Sequence, residues 1–397
     1  MSLELVIVMI HGTWGRGIFP SARALMHRRP LWFEPGSDFH DDLMRQLDNK
    51  GVEVHASSID WSGSNSFKER ELAAKKLAET IDLRAKQFPN VPILLLGHSH
   101  GGNVISRALS HTTANLDQVY AASLATPFLE VFKTNLTPSQ SRSLGTLYFF
   151  SFLAVVIIYN ITLDYFFPHL RQKPGPHLPN IAAAIGAIVV GITGAIFICS
   201  YILRQSAAQI ELIEKISSQS GASHLGSRRL VVRAIDDEAT LVITTGAIGT
   251  RLASLALSLI GAFRPNNLIW VVLLFGLLFA AHQMPIEIGW NFRAIYQTLI
   301  ASYVLFLPLL VFLLVVLAAI FRASYGRELA LSGVNCEVSA HSAPDAQGVD
   351  VVTLRQDGGA RGWLRHYIYE HPGCTAALVD WITSWHKQRE ARAASDP

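Results

Sequence analysis

The stretch Pro92-Ile93-Leu94-Leu95-Leu96-Gly97-His98-Ser99-His100-Gly101-Gly102 decides how this 397-residue chain is read. Its short apolar run, closed by glycine, predicts a strand buried on both faces, and the small residues beyond Gly102 predict a helix to about Ser110. Between them, Gly97-His98-Ser99-His100-Gly101 has the Gly-X-Ser-X-Gly spacing of a nucleophile elbow. The serine sits on a strand-to-helix turn so sharp that its flanking positions leave no room for side chains. The bland alternative is a glycine-rich turn with an inert serine.

Working outward, Leu3 to Ile10 is a continuous apolar strand, and Ser37 or Asp38 can cap a helix from Phe39 to Asn49. A strand from Val52 to Ile59, a charged helix from about Phe67 to Phe88 and a strand from Val119 to Leu124 follow. Further on, Leu230 to Ile235 and Val349 to Leu354 read as strands, and about Thr375 to Arg389 as a last helix. Strands alternating with helices over short links predict an α/β fold with a doubly wound, mostly parallel sheet.

Two blocks interrupt that alternation. Half the residues are hydrophobic and only 16% are charged, against about a quarter in ordinary soluble domains. The deficit concentrates in four runs: Leu144 to Phe167, Leu178 to Leu203, Pro265 to Ile286 and Ala294 to Phe321. The first two are each long enough to cross ~30 Å of hydrocarbon at ~1.5 Å per residue, and the other two read as further spans. The alternative of core helices in a soluble protein is most credible for the third, whose densest part, Leu268 to Ala281, is fourteen residues. Leu252 to Phe263 is apolar over only twelve residues and reads as an interfacial helix. The organisation expected is therefore 1–143, 204–264 and 322–397 as one catalytic domain, with transmembrane hairpins inserted at 144–203 and 265–321. Pairs of spans keep the three pieces on one side of the membrane. Eight basic residues near the spans lie on that side (Lys133, Arg142, Arg204, Lys215, Arg251, Arg264, Arg322, Arg327), against Arg171, Lys173 and Arg293 in the hairpin links. That bias predicts a cytoplasmic catalytic domain on an inner or cytoplasmic membrane.

Other classes are disfavoured. A net charge of +3 with scattered basic residues gives no nucleic-acid stripe. Cys199, Cys336 and Cys374 have no metal-ligand spacing and cannot form an even disulfide framework, which fits a reducing compartment. Met1 to Ile10 lacks the basic leader of a signal peptide, so the first span is expected to target the chain. A transporter would need charges paired within the spans, where Asp164 is the sole acidic residue.

A serine hydroxyl is a weak nucleophile at neutral pH and needs a histidine to take its proton and a carboxylate to orient that histidine. The carboxylate candidates are Asp236 and Asp237, just past the Leu230 strand; the histidine candidates are His366 and His371, past the last strand. His341 precedes that strand, and His371, directly before Pro372-Gly373, reads as a helix cap.

The elbow, the chain order Ser, acid, His, and the turn His11-Gly12-Thr13-Trp14 after the first strand resemble the α/β-hydrolases, especially bacterial lipases and esterases. The resemblance covers roughly 1–130, 204–250 and 349–390, and the chain opens at what is normally the third strand of that fold. It implies Ser99 as nucleophile, Asp237 as acid with Asp236 the alternative, and His366 as base. It also implies an oxyanion hole from the backbone amides of Thr13 and His100; the residues themselves read as His11 bracing the loop and His98 and His100 as packing side chains, with either of the last two the alternative base. No cofactor or metal is implied. The first insert falls where such hydrolases carry a lid, so the pocket is expected to face the bilayer. The expected function is a membrane-embedded esterase, lipase or thioesterase acting on membrane lipids or acylated substrates. The alternative is a catalytically silent membrane scaffold that retains the fold.

Overall fold

The computed structural model describes residues 3–13, 30–134, 137, 208–214, 225–234, 238–261, 316–329, 336–344, 347–355 and 367–395. Six parallel strands form the central sheet: β1 (Leu3–Ile10), β2 (Val52–Ile59), β3 (Ile93–His98), β4 (Val119–Leu124), β6 (Arg229–Ala234) and β8 (Asp350–Leu354). Their order is β2-β1-β3-β4-β6-β8. This mostly parallel sheet with helices on both faces is consistent with the α/β-hydrolase fold.

Alternation along β1 shows how one strand serves two cores. Leu5, Ile7 and Met9 join a cluster with Leu43 and Leu47 of α1 (Asp38–Asp48) and with Leu378, Ile382 and Trp385 of α5 (Pro372–Ser395). Val6, Val8 and Ile10 face the other way, toward Leu77 and Ile81 of α2 (Phe67–Gln87) and Val104 and Ile105 of α3 (His100–Ala108). Each such fully buried aliphatic side chain contributes ~1.5–3 kcal/mol. The expected helix starts hold: the Ser37 hydroxyl accepts the His40 N–H at 3.2 Å, and Ser66 accepts that of Glu69 at 3.2 Å.

A smaller layer escaped the sequence reading. β5 (Phe128–Lys133) pairs antiparallel with β7 (Cys336–His341), although residues 134–335, both inserts included, lie between them in the chain. Val131, Cys336 and Val338 of this pair cluster with Ile210 and Ile213 of the helical residues 208–214, and with Phe321 and Tyr325 of the helical residues 316–325. Burial pushes the thiols of Cys336 and Cys374 up to about 12, which keeps both protonated.

One expectation is corrected here. The apolar segment from Leu252 is not a separate twelve-residue helix but the second half of α4 (Glu238–Gly261). The helix continues upstream because Gly246 and Gly249 let it lie directly on Ser324, Tyr325, Phe321 and Leu317. The four apolar runs lie outside the described residues, apart from 316–321. Among the described residues no helix is long and apolar enough to cross a membrane.

Candidate active site

In a parallel sheet every strand ends on the same edge. From β1 the chain first runs outward to β2, then crosses back over β1 to β3 and continues through β4, β6 and β8. The loops after β1 and β3 therefore leave in opposite directions and open a crevice between the two strand ends, where ligands of open α/β sheets bind. Ile10 lies opposite Gly97 in the register, so the turn His11-Gly12-Thr13 and the residue Ser99 face each other across that crevice.

Ser99 itself is strained. Its φ of 54° and ψ of −132° lie outside the regions that L-residues ordinarily occupy, and it immediately precedes α3 without capping it through its side chain. The surroundings hold it there. Its N–H donates to the Leu124 carbonyl at 2.8 Å, and its carbonyl accepts from the Gly102 N–H at 3.0 Å and the Thr126 hydroxyl at 2.9 Å. Ala125, at the end of β4, also has a positive φ (45°), so two strained non-glycine residues sit on adjacent strand ends. Strain of this kind costs ~1–3 kcal/mol per residue and clusters at functional sites.

Glycine makes this geometry possible at two places. A methyl group on Gly12 would lie 2.5 Å from Ser99 Cβ and 3.1 Å from Ser99 Oγ, and one on Gly97 would lie 2.7 Å from the Gly101 carbonyl carbon. The turn after β1 thus lies so near Ser99 that even a methyl group on Gly12 would not fit between them.

The three histidines near the turn are all buried. His11 is stacked between Phe33 and Trp61, with ring centroids 5.3 and 5.5 Å away, and its carbonyl accepts the Trp61 indole N–H at 2.9 Å. His98 packs edge-on against Tyr369 at 4.9 Å. His100 accepts from Asn103 Nδ2 at 3.2 Å, and the same amide nitrogen donates to the Pro127 carbonyl at 2.8 Å. Thr13 follows Gly12 in the turn, and His100 is the first residue of α3.

Asp236, Asp237 and His366 lie outside the described residues. Along the chain they follow the ends of β6 and β8 by two, three and twelve residues. His371 takes the capping place expected of it: its Nδ1 accepts the Gly373 N–H at 3.0 Å, and its carbonyl accepts that of Cys374 at 2.8 Å. Sequence reasoning missed Thr126 and Asn103. The signal for Thr126 was available, since Ala125-Thr126-Pro127 follows a buried strand and so falls on the same rim.

One tie joins the serine helix to α2, and another holds the start of α2 itself. Glu71 of α2 accepts from Arg107 Nε of α3 at 2.6 Å and from His111 Nε2 at 2.8 Å. Burial alone would raise the Glu71 carboxyl, but these bonds, Arg107 foremost, outweigh it and hold the group below its ordinary range. Glu328, from the layer around β5 and β7, accepts the backbone N–H groups of Phe67 at 3.1 Å and Lys68 at 3.4 Å and bonds the Ser66 hydroxyl.

No family model and no curated protein matches the sequence. Among solved structures, the chain is similar to an extracellular α/β-hydrolase from a Paenibacillus species, described as sharing structural and functional homology with tobacco salicylic acid binding protein 2. The match has 20% identity and a TM-score of 0.19, covering 31% of this chain and 41% of that one.

Proposed function

We propose that this chain is a membrane-embedded serine hydrolase that cleaves carboxylic ester or thioester bonds of lipids or acylated substrates. Ser99 attacks the carbonyl carbon while His366 takes its proton, and Asp237, or Asp236 in its place, orients the imidazole. The amides of Thr13 and His100 receive the developing oxyanion, a contribution of ~3–4 kcal/mol per donor. Proton return from His366 releases the alcohol or thiol, and water activated by the same imidazole cleaves the acyl-enzyme.

The observation that carries this reading is the strained backbone of Ser99 at the switch point of the sheet, with Gly12 against its hydroxyl. An inert turn has no need of positive φ at a serine. The test is an activity-based one: a fluorophosphonate probe should label wild type, and Ser99→Ala should abolish labelling and lower esterase turnover by ~10⁴-fold or more. Folded wild type that takes up no probe would favour the silent scaffold.

The membrane half of the proposal is supported by where the apolar runs join the described chain. Lys133 of β5, the helical residues 208–214, α4 and the helical residues 316–325 all border those runs, and all belong to the layer around β5 and β7. Six of the ten large hydrophobic side chains exposed among the described residues lie on it: Phe132, Leu212, Ile248, Leu252, Leu255 and Val316. Ile248, Leu252 and Leu255 follow the i, i+4, i+7 spacing of one helix face and are 53–61% exposed. A lipid boundary accounts for such a face. The protein should stay with membranes through alkaline carbonate washing, and its turnover should rise when the ester is presented in bilayers or micelles. Release by carbonate would reject the embedding, whatever the probe result.

A further inference from the structure

Arg229 opens β6 opposite Ala121 of β4, on the sheet face covered by α3. Its side chain is fully buried. Nη2 donates to the Ser106 hydroxyl at 2.6 Å, and the guanidinium carbon lies 5.0 Å from the Phe128 ring centroid. Nε and Nη1 have no hydrogen-bond partner, and among the described residues no carboxylate pairs with the group. The other buried arginine differs: Arg70 donates from Nη1 to Asn65 at 3.0 Å and feels the charge of Glu328.

A guanidinium cannot escape this position by losing its proton. Burial brings Arg229 down only to about 10, so it is charged at neutral pH. An isolated buried charge is among the costliest groups a fold can hold, and one hydroxyl and one ring face do not offset it. A second orphan lies close by: Ser123 is fully buried and its Oγ has no partner. Ser123 sits two residues beyond Ala121 on β4, hence on the same face of the sheet as Arg229. The unmet groups are thus the N–H donors of a cation and a hydroxyl that can also donate. No acceptor faces them among the described residues, a set that suits an anion better than water or a cation.

We infer that a small monovalent anion binds between β4, β6 and α3, held by Nε and Nη1 of Arg229 with the Ser123 hydroxyl beside it. One cation balances one negative charge, whereas a dianion would keep an excess charge under the same helix. Arg229, Ser123 and Ser106 are all buried, so the occupant must be small, and a halide or a bare carboxylate is the class to test. The site is separate from the crevice at Ser99: Ser106 lies seven residues further along the chain, ~10 Å down the helix. The inference therefore stands or falls independently of the hydrolytic reading.

Thermal unfolding of the detergent-solubilised full chain tests it, with bromide, chloride or acetate replacing isethionate at constant ionic strength. Above the dissociation constant, the unfolding temperature of a chain this long should climb by ~2 °C per tenfold rise in the free anion. Halides raising it alone would identify a halide site, and acetate acting equally would identify a carboxylate site. Arg229→Met should fold, since it removes the unpaired charge, and should lose the response. In wild-type crystals grown in bromide, an anomalous peak should lie within hydrogen-bonding distance of Arg229 Nε or Nη1. A wild-type unfolding temperature indifferent to the anion, a response retained in Arg229→Met, or no bromide peak at Arg229 would each overturn the inference. If Arg229→Met fails to fold, the wild-type titration and the bromide peak decide.

Discussion

The crevice around Ser99 and the layer around β5 and β7 treat hydrophobic surface in opposite ways, and only the crevice closes on all of its glycines. At the crevice, Gly12, Gly97, Gly101 and Gly102 are closed on by backbone or by a buried side chain, and almost nothing apolar there is left to solvent. In the outer layer, Gly246 is closed on just as tightly by Ser324 and Tyr325, but Gly249, one turn on, has ordinary contact distances to Phe321 and Leu317, and the same helix exposes Ile248, Leu252 and Leu255. One region is packed so that a single strained residue cannot relax; the other is packed on one side only. The difference separates a scaffold that determines geometry from a layer whose remaining surface awaits other material.

The largest effect should come from adding one methyl group at the crevice. Cβ of Gly101→Ala would overlap the carbonyl oxygen of Ile10, which is backbone at the end of β1, paired with strands on both sides, and cannot swing aside. We expect a loss of ~3 kcal/mol or more in unfolding free energy, measured by urea denaturation, together with loss of probe labelling at Ser99. A Gly101→Ala protein of wild-type stability would break the contrast, because it would mean that the elbow has slack.

How much of this was legible in the sequence follows from the range of the interactions. β2 and β4 match their expected bounds, since each is a continuous run with turn residues at both ends, and the elbow is a local string whose glycines announce close approach. The pairing of β5 with β7 could not be read, because Phe128 to Lys133 and Cys336 to His341 are short, mixed in polarity and brought together only by tertiary contacts. The start of α4 was missed for a related reason: Thr244-Thr245-Gly246 reads as a poor helix, and the packing of Gly246 on Ser324 and Tyr325 overrides that propensity. At the site, the serine turn was legible because its chemistry is written in consecutive residues. The acid and base proposed for it are remote in sequence from that turn, and only order along the chain guides their choice.

A smaller effect sharpens the boundary between the two regions. Glu328 belongs to the outer layer but binds the N-terminus of α2, which belongs to the sheet domain. Burial pushes its carboxyl up, yet the bonds from Ser66, Phe67 and Lys68 prevail, so its folded value lies below the ordinary 4.5. A group with a depressed folded value stabilises the fold above its unfolded value, and this contribution fades as pH falls through the folded one. Glu328→Gln should therefore cost ~1 kcal/mol near pH 7, a figure already reduced for the half-exposed position, and progressively less below pH ~4.5. Equal losses at pH 7 and pH 3 would show that the carboxylate charge is not what joins the layers.

The smallest effect has the opposite sign. Gly249 lies within α4, where a new Cβ would meet Phe321 Cε1 at 3.4 Å and Leu317 Cδ1 at 3.5 Å, both ordinary contacts with side-chain ends. Glycine inside a helix costs ~0.5–1 kcal/mol relative to alanine, mostly through the entropy of the unfolded chain. Gly249→Ala should then raise stability by about that amount, read as a higher urea midpoint at unchanged slope, and leave probe labelling intact. A methyl group is thus ruinous at residue 101 and helpful at residue 249 for one reason: the first would press on backbone held by the sheet, the second on side chains that already lie at contact distance. If Gly249→Ala instead destabilised the protein, the outer layer would be as tightly keyed as the crevice, and its exposed helix face would need an explanation other than one-sided packing.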